Sequence, residues 1–339
     1  MKTIKFFDST LRDGSHAVKH QISLESIAEY CKKVDGSGLY TVIVGHGNGL
    51  GASSLQVGLS AHSDLEMLKT ARKNLRHTRL GAFMIPGFGG IRDDLAPALK
   101  TGVDLVCIGI HCTEADITAQ HIEYVAAQGK EVYGVLMMYH MAGKERLLEE
   151  AKKMQSYGAM GVIFMDSAGS STPDMVREVV GYISTNLEIP VGFHAHNNLS
   201  MAVANSLTAI EAGAGIIDGT TRGFGAGAGN CQLEALIALM QKIGMETGVD
   251  LYKVLDASDE VVKAMMLKPQ ETDAVSIVSG LAGVFSGFSP HVRKAAEKYG
   301  VDARDIFMEL GRRKVVAGQE DLIIGVAAEL KKIYDQRKN

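Results

Sequence analysis

Eight short apolar runs alternate with longer amphipathic segments over about 250 residues of this 339-residue chain, and the alternation predicts an α/β protein, a (β/α)8 TIM barrel. A helical C-terminal domain is expected to follow it. Most of the runs are continuous in apolar residues rather than alternating, as strands buried on both faces of a parallel sheet are. No G-x-G-x-x-G follows the first run, where a doubly wound dinucleotide fold would carry it. Thr10-Leu11-Arg12-Asp13-Gly14 stands there instead.

In chain order the expected strands are residues 3–8, 41–45, 80–85, 105–110, 132–138, 161–165, 191–196 and 215–218. Between them, residues 23–34, 64–75, 117–128, 144–157, 173–184 and 199–211 carry helical patterns. Ser23 is a start signal and Thr172-Pro173 puts proline at a first helical position. Gly129, Gly158 and Gly213 follow helix ends, where a left-handed residue is commonly required. After Met240 only helical segments remain, at 250–266, 291–299, 303–312 and 322–333. The expected division is a barrel over residues 1–265 and a helical domain over 266–339 that meets a partner.

Composition narrows the functional class. With 46% hydrophobic and 22% charged residues the chain can bury a large core. A net charge of −4 without a basic, aromatic-laced patch argues against nucleic-acid binding. Four cysteines, Cys31, Cys107, Cys112 and Cys231, form no C-x-x-C pair and read as reduced thiols, with Cys107 in the core. With no apolar segment of membrane-span length and no signal-peptide pattern, the expectation is a cytoplasmic protein without a membrane contact. The sixteen methionines are read as core filler.

The strongest chemical signal is divided between distant segments. Asp13 follows the first strand, whereas His194 and His196 lie two apart in the seventh, so both imidazoles face one side. One carboxylate and two imidazoles hold a divalent ion while leaving positions open for a substrate. Barrel geometry gathers the segments that follow the strands at one end. Arg12, Asp13 and His16 can therefore meet His194 and His196, the glycine-rich loop 45–51 and the loop 223–230.

His16 is the expected general base, because imidazole titrates near neutral pH. Arg12 is expected to stabilise developing negative charge, its plainer role being a salt bridge that holds the loop. Arg12, His194 and Ser167 are the candidate substrate contacts. Asn230 is read both as a helix cap and as an additional metal ligand. His20 is taken as structural, and His46, His111 and His140 rank behind the first set. A Schiff-base route needs a lysine inside the barrel, and Lys5, upstream of the motif, is the only lysine in the eight runs.

As a set, residues 10–16, His111-Cys112-Thr113-Glu114-Ala115-Asp116, residues 194–200, residues 225–230 and Gly318-Gln319-Glu320-Asp321 resemble the 4-hydroxy-2-oxovalerate aldolases. These are pyruvate-specific class II aldolases of the superfamily that also holds hydroxymethylglutaryl-CoA lyase and isopropylmalate synthase. The resemblance covers nearly the whole chain. It implies cleavage of a 4-hydroxy-2-oxo acid to pyruvate and an aldehyde, a manganese ion (with cobalt or other divalent ions able to serve), and His16 as base. It also implies an oligomer with an acylating aldehyde dehydrogenase subunit that receives the aldehyde.

One departure stands out: the family usually carries tyrosine in the segment matching 280–285, one such tyrosine lying at the site, whereas this chain has Leu281 and Phe285. The expected consequence is a missing phenolic proton donor and a more apolar aldehyde pocket. Two other readings compete. A Claisen-type acyl-CoA synthase of the same superfamily would carry a Glu-Arg pair in the glycine loop, which here reads Ala226-Gly227-Ala228. A catalytically silent dehydrogenase-binding subunit would not need Arg12, Asp13, His16, His194 and His196 together.

Overall fold

The structure, a computed structural model, describes residues 3–338. Eight parallel strands pair each with its sequence neighbours, and the last returns to the first to close a barrel. They are β1 (Lys5–Asp8), β2 (Thr41–Ile43), β3 (Arg79–Met84), β4 (Leu105–His111), β5 (Glu131–Met137), β6 (Val162–Asp166), β7 (Val191–Ala195) and β8 (Ile216–Gly219). Every expected strand is present, with ends moved by one or two residues. One shift bears on the site: His196 lies just past β7, in a bridge to Asn230.

The continuous apolar character of the strands has the expected cause. Phe7, Ile43, Cys107, Tyr133, Ile163 and Ile216 fill the barrel interior. Phe6, Val42, Val106, Leu136, Phe193 and Ile217 face outward into the layer beneath the helices. Lys5 is committed at the start of β1, donating to the hydroxyls of Tyr40 and Tyr133 at 3.0 Å each. It therefore sits away from the strand ends at which barrel chemistry is done.

The surrounding helices are α1 (Gly14–Ala17), α2 (Leu24–Val34), α3 (Asp64–Asn74), α4 (Ala96–Lys100), α5 (Ala119–Ala127), α6 (Lys144–Ser156), α7 (Pro173–Asn186), α8 (Ala202–Glu211) and α9 (Leu233–Lys242). Side chains close their first turns, as with Ser23 on α2, Thr172 on α7 and the Ser63–Glu66 capping box on α3. Helix α9 lies outside the segments expected from sequence. The segment expected at 250–266 is interrupted: α10 (Leu251–Asp256) passes through a π-turn at Ala257–Val262 into α11 (Lys263–Met265). Val254, Ala257, Val261 and Val262 pack into the barrel's outer core.

A second apolar cluster holds the remaining helices, α12 (Ala274–Ala282), α13 (Ser289–Tyr299), α14 (Ala303–Arg312) and α15 (Asp321–Lys338). Val284, Phe288, Ile306, Phe307, Leu310 and Val326 are among its fully buried members. Buried Asn198 ties this cluster to the barrel, donating to Ser276 O and Ser279 Oγ and accepting from Ser286 Oγ at 2.9 Å. Among the described residues no helix is long and apolar enough to cross a membrane.

Candidate metal centre and active site

The turn after β1 folds Arg12 and Asp13 inward, and both are buried. Three donors converge on Asp13: Arg12 Nη1 at 2.8 Å, Ala226 N at 3.1 Å and Asn230 Nδ2 at 2.5 Å. Burial by itself would raise its carboxyl, but the Arg12 guanidinium together with the His196, His16 and His194 imidazoles outweighs that and holds it well below the usual carboxylate range. The glycine loop makes the approach possible, since a Cβ on Gly225 would overlap Asp13 Oδ2 and Asn230 Nδ2.

His194 comes from the inward face of β7, and His196 follows one pleat later. Their rings lie 5.0 Å apart, centroid to centroid. His196 Nδ1–H donates to the Asp166 carbonyl at 3.0 Å, which turns Nε2 toward Asp13 Oδ2 at 3.8 Å. His194 Nδ1–H donates to Asp218 Oδ2 at 2.8 Å. Ligand atoms of Asp13, His194 and His196 all lie within 4.8 Å of one another. His194 Nε2 and Asn230 Oδ1 are buried without a hydrogen-bond partner among the described residues. A buried carboxylate beside unsatisfied imidazole and amide acceptors is a set that a cation completes, and these donors fit a divalent ion.

The other expected residues divide clearly. His16, on α1, lines a cavity of about 620 Å3 that opens between the barrel and α13. Its ring lies over Gly47, where a Cβ would collide with Nε2. Burial pushes its pKa to about 4, so the ring is a neutral base at neutral pH. Of its two expected roles Arg12 shows the plainer one, the salt bridge to Asp13, and its guanidinium also stacks over Phe83 at 4.7 Å.

Ser167 is placed differently. Its buried hydroxyl accepts from Met138 N at 3.0 Å, and its carbonyl accepts from Ser286 N, so it belongs to the wall. Asn230 does not cap α9, whose cap position is Gln232; its amide instead reaches Asp13. Leu281 is exposed, and Phe285 packs edge-on to Phe288, 5.6 Å away. Ser286 and Gly287 line the cavity beside them. His140 Nε2–H donates to Gly283 O at 3.1 Å, and His111 Nδ1 meets Thr113 Oγ1 at 2.9 Å.

His20 and His46 form a stacked pair, 3.7 Å between centroids, behind His16. His20 Nε2–H donates to Val57 O and His46 Nε2–H to Gly58 O, so the pair pins the loop at the cavity mouth. Burial, with a neighbouring imidazole (that of His16 for His20, that of His20 for His46), pushes both pKa values down to about 4. In the unfolded chain these rings titrate near 6.5. Their contribution is thus fully present above pH 6.5 and is lost as acid reaches the folded-state value. Thermal unfolding midpoints are expected to fall between pH 6.5 and 4, with a shallower fall in His46→Gln; equal slopes in the two proteins would refute the assignment.

Asp218 is the residue that reading the sequence did not single out. It was visible as the carboxylate ending the eighth apolar run, but only the β7–β8 register, His194 opposite Asp218, gives it a partner.

Comparison with known proteins agrees with this geometry. Residues 3–261 match the family described as HMGL-like, and residues 270–332 match the DmpG-like communication domain. A 4-hydroxy-2-oxovalerate aldolase of Spirochaeta aurantia is 57% identical over 324 residues, 96% of this chain and 95% of its own length. One of Pectobacterium atrosepticum is 54% identical over 331 residues, 98% and 96% of the two chains. The carboxyl transferase domain from Rhizobium etli pyruvate carboxylase shares the fold, with a TM-score of 0.81 over 98% of this chain and 61% of that one at 14% identity. With the barrel, the buried Asp13–His194–His196 set and near full-length identity in agreement, the chain belongs to the HMGL-like family and, within it, to the 4-hydroxy-2-oxovalerate aldolases.

Proposed function

We propose that this chain is a carbon–carbon lyase that reversibly cleaves a 4-hydroxy-2-oxo acid of the 4-hydroxy-2-oxopentanoate type to pyruvate and an aldehyde. The observation that carries the reading is the convergence of Asp13, His194 and His196 beside Arg12, with His16 on the same cavity. Asp13, His194 and His196 would hold the divalent ion, manganese being the first choice, with Asn230 Oδ1 as a further ligand. Such an ion supplies Lewis acidity toward the carboxylate and 2-oxo oxygens of the substrate.

The chain's own groups account for the rest. His16 accepts the C4 hydroxyl proton, the C3–C4 bond breaks, and its electron pair moves into the enolate of pyruvate while the aldehyde departs. Arg12, held by Asp13 and by Phe83, presents fixed positive charge where the enolate oxygen develops. With Phe285 in place of a tyrosine and packed on Phe288, proton return to C3 falls to His16. The burial of Arg12, Asp13 and Phe83 keeps water from competing for the same charges.

A division into a barrel at 1–265 and a helical domain at 266–339 is part of the same proposal. Two separate apolar clusters and two separate family matches support it. The helical part is taken to meet an acylating aldehyde dehydrogenase. The communication-domain match and the exposed apolar Ile277, Leu281 and Met308 support that partner.

The test is pyruvate release from racemic 4-hydroxy-2-oxopentanoate, followed through coupled NADH oxidation. Chelation is expected to lower the rate at least about 100-fold and added manganese to restore it. Absence of pyruvate from the manganese-loaded protein would sink the reading.

A further inference from the structure

Two imidazoles of the same site are oriented by different kinds of acceptor. His196 Nδ1–H meets a neutral backbone carbonyl, whereas His194 Nδ1–H meets the carboxylate of Asp218 at 2.8 Å. We propose that Asp218 is a positioning residue of the metal centre, which fixes the tautomer of His194 and strengthens it as a ligand. The inference rests on the metal-dependent reading above.

The fold builds this contact deliberately into the barrel. Asp218 stands opposite His194 in the β7–β8 register, both on inward-facing positions, and both are buried. Its second oxygen accepts from Ser9 Oγ at 2.7 Å, and Ser9 N is itself held by Gly219 O across the β1–β8 seam. The carboxylate therefore cannot swing. Arg12 Nη2 lies 3.9 Å from Oδ2, and Arg12 Nη1 is already taken by Asp13, so the guanidinium spans the ligand carboxylate and the positioning one. A buried carboxylate is costly unless paired, and the pairing available to Asp218 is chiefly with His194, Ser9 and Arg12.

The chemical consequence follows from which nitrogen keeps its proton. In the neutral ring, a carboxylate oxygen that accepts the Nδ1 proton and offers none back leaves the lone pair on Nε2. That nitrogen is the buried one without a partner, on the side of Asp13 and His196. An anionic acceptor also raises electron density on the ring more than a carbonyl does, making His194 the stronger of the two imidazole ligands.

The experiment measures ion affinity directly. Full-length protein is stripped of metal and titrated with Mn2+ and Co2+ against a chromogenic chelator, in the unmodified protein, Asp218→Asn and Ser9→Ala. Asp218→Asn, folded by circular dichroism, is expected to bind both ions roughly 10- to 100-fold more weakly. Ser9→Ala keeps the charge while removing one neutral hydrogen bond and is expected to lose no more than about threefold. Equal affinity in folded Asp218→Asn and the unmodified protein overturns the proposal and leaves the metal reading intact. No ion binding in the unmodified protein overturns both.

If Asp218→Asn does not fold, the unmodified protein decides the matter. Nitrogen-15 spectra of histidine-labelled, metal-free protein, with the His194 signals assigned by their loss in His194→Gln, are expected to show the Nδ1–H tautomer. An Nε2–H tautomer would overturn the proposal.

Discussion

Replacing His194 with alanine is expected to abolish stoichiometric binding of the divalent ion and to cut turnover at least about 1,000-fold. The size of the effect comes from the small number of ligands. Without His194, two of the three donors that converge within 4.8 Å remain, with Asn230 Oδ1 the one further oxygen proposed beside them. Asp13→Ala should show the same functional loss, with an added cost to the fold. Arg12 Nη1, Asn230 Nδ2 and Ala226 N all lose this acceptor at once, and breaking a buried charge pair costs on the order of 3–5 kcal/mol, an upper bound here because Asp218 still lies 3.9 Å from Arg12 Nη2. His194→Ala is therefore the cleaner test. Metal content after dialysis, read by mass spectrometry beside steady-state pyruvate release, checks it. Retention of one ion per chain in His194→Ala would remove His194 from the ligand set.

The parts of this site that were legible in the sequence are those fixed by local periodicity. His194 lies on β7 and His196 just past its end, and two-residue spacing puts them on one side before any fold is known. Asp13 and His16 follow the first strand, and barrel topology alone brings strand ends together. What stayed hidden depends on register or on a choice between two local roles. Asp218 has no spacing relation to His194; hydrogen bonding between β7 and β8 makes them neighbours. Asn230 carries a residue type that suits a helix cap, but α9 starts later and its amide turns to Asp13 because Gly225 lets the chain close in. Ser167 follows β6 as a substrate contact would, yet backbone groups of Met138 and Ser286 claim it.

The same distinction applies to the fold. Long apolar strands buried on both faces were readable, down to one or two residues at each end. The interruption of 250–266 by a π-turn was not, since its apolar spacing continues through Val261 and Val262 and only the backbone bonds differ. Helices α9 and α12 were missed for another reason. Each follows a loop rich in glycine or polar residues that masks the start of the helical pattern, and α12 is closed by an Asp273 cap whose role becomes clear only beside Ser276.

His16→Ala is expected to lower the turnover number by about 100- to 10,000-fold, the range ascribed to a positioned acid–base group, while the ion remains bound. His16 contributes no atom to the Asp13–His194–His196 set, so metal content should match the unmodified protein. Its ring faces the cavity across Gly47, and burial keeps it neutral at neutral pH and therefore able to accept a proton. Substrate binding should change less than turnover, because the lost interaction belongs to the proton transfer rather than to the 2-oxo acid group. Added imidazole, small enough for the space left by the missing ring, should recover part of the rate. Two results separate the roles in the site. Unchanged turnover in His16→Ala would mean that another group takes the hydroxyl proton. Joint loss of turnover and of the ion would mean that His16 helps to hold the metal centre, and the division of labour between α1 and β7 would have to be redrawn.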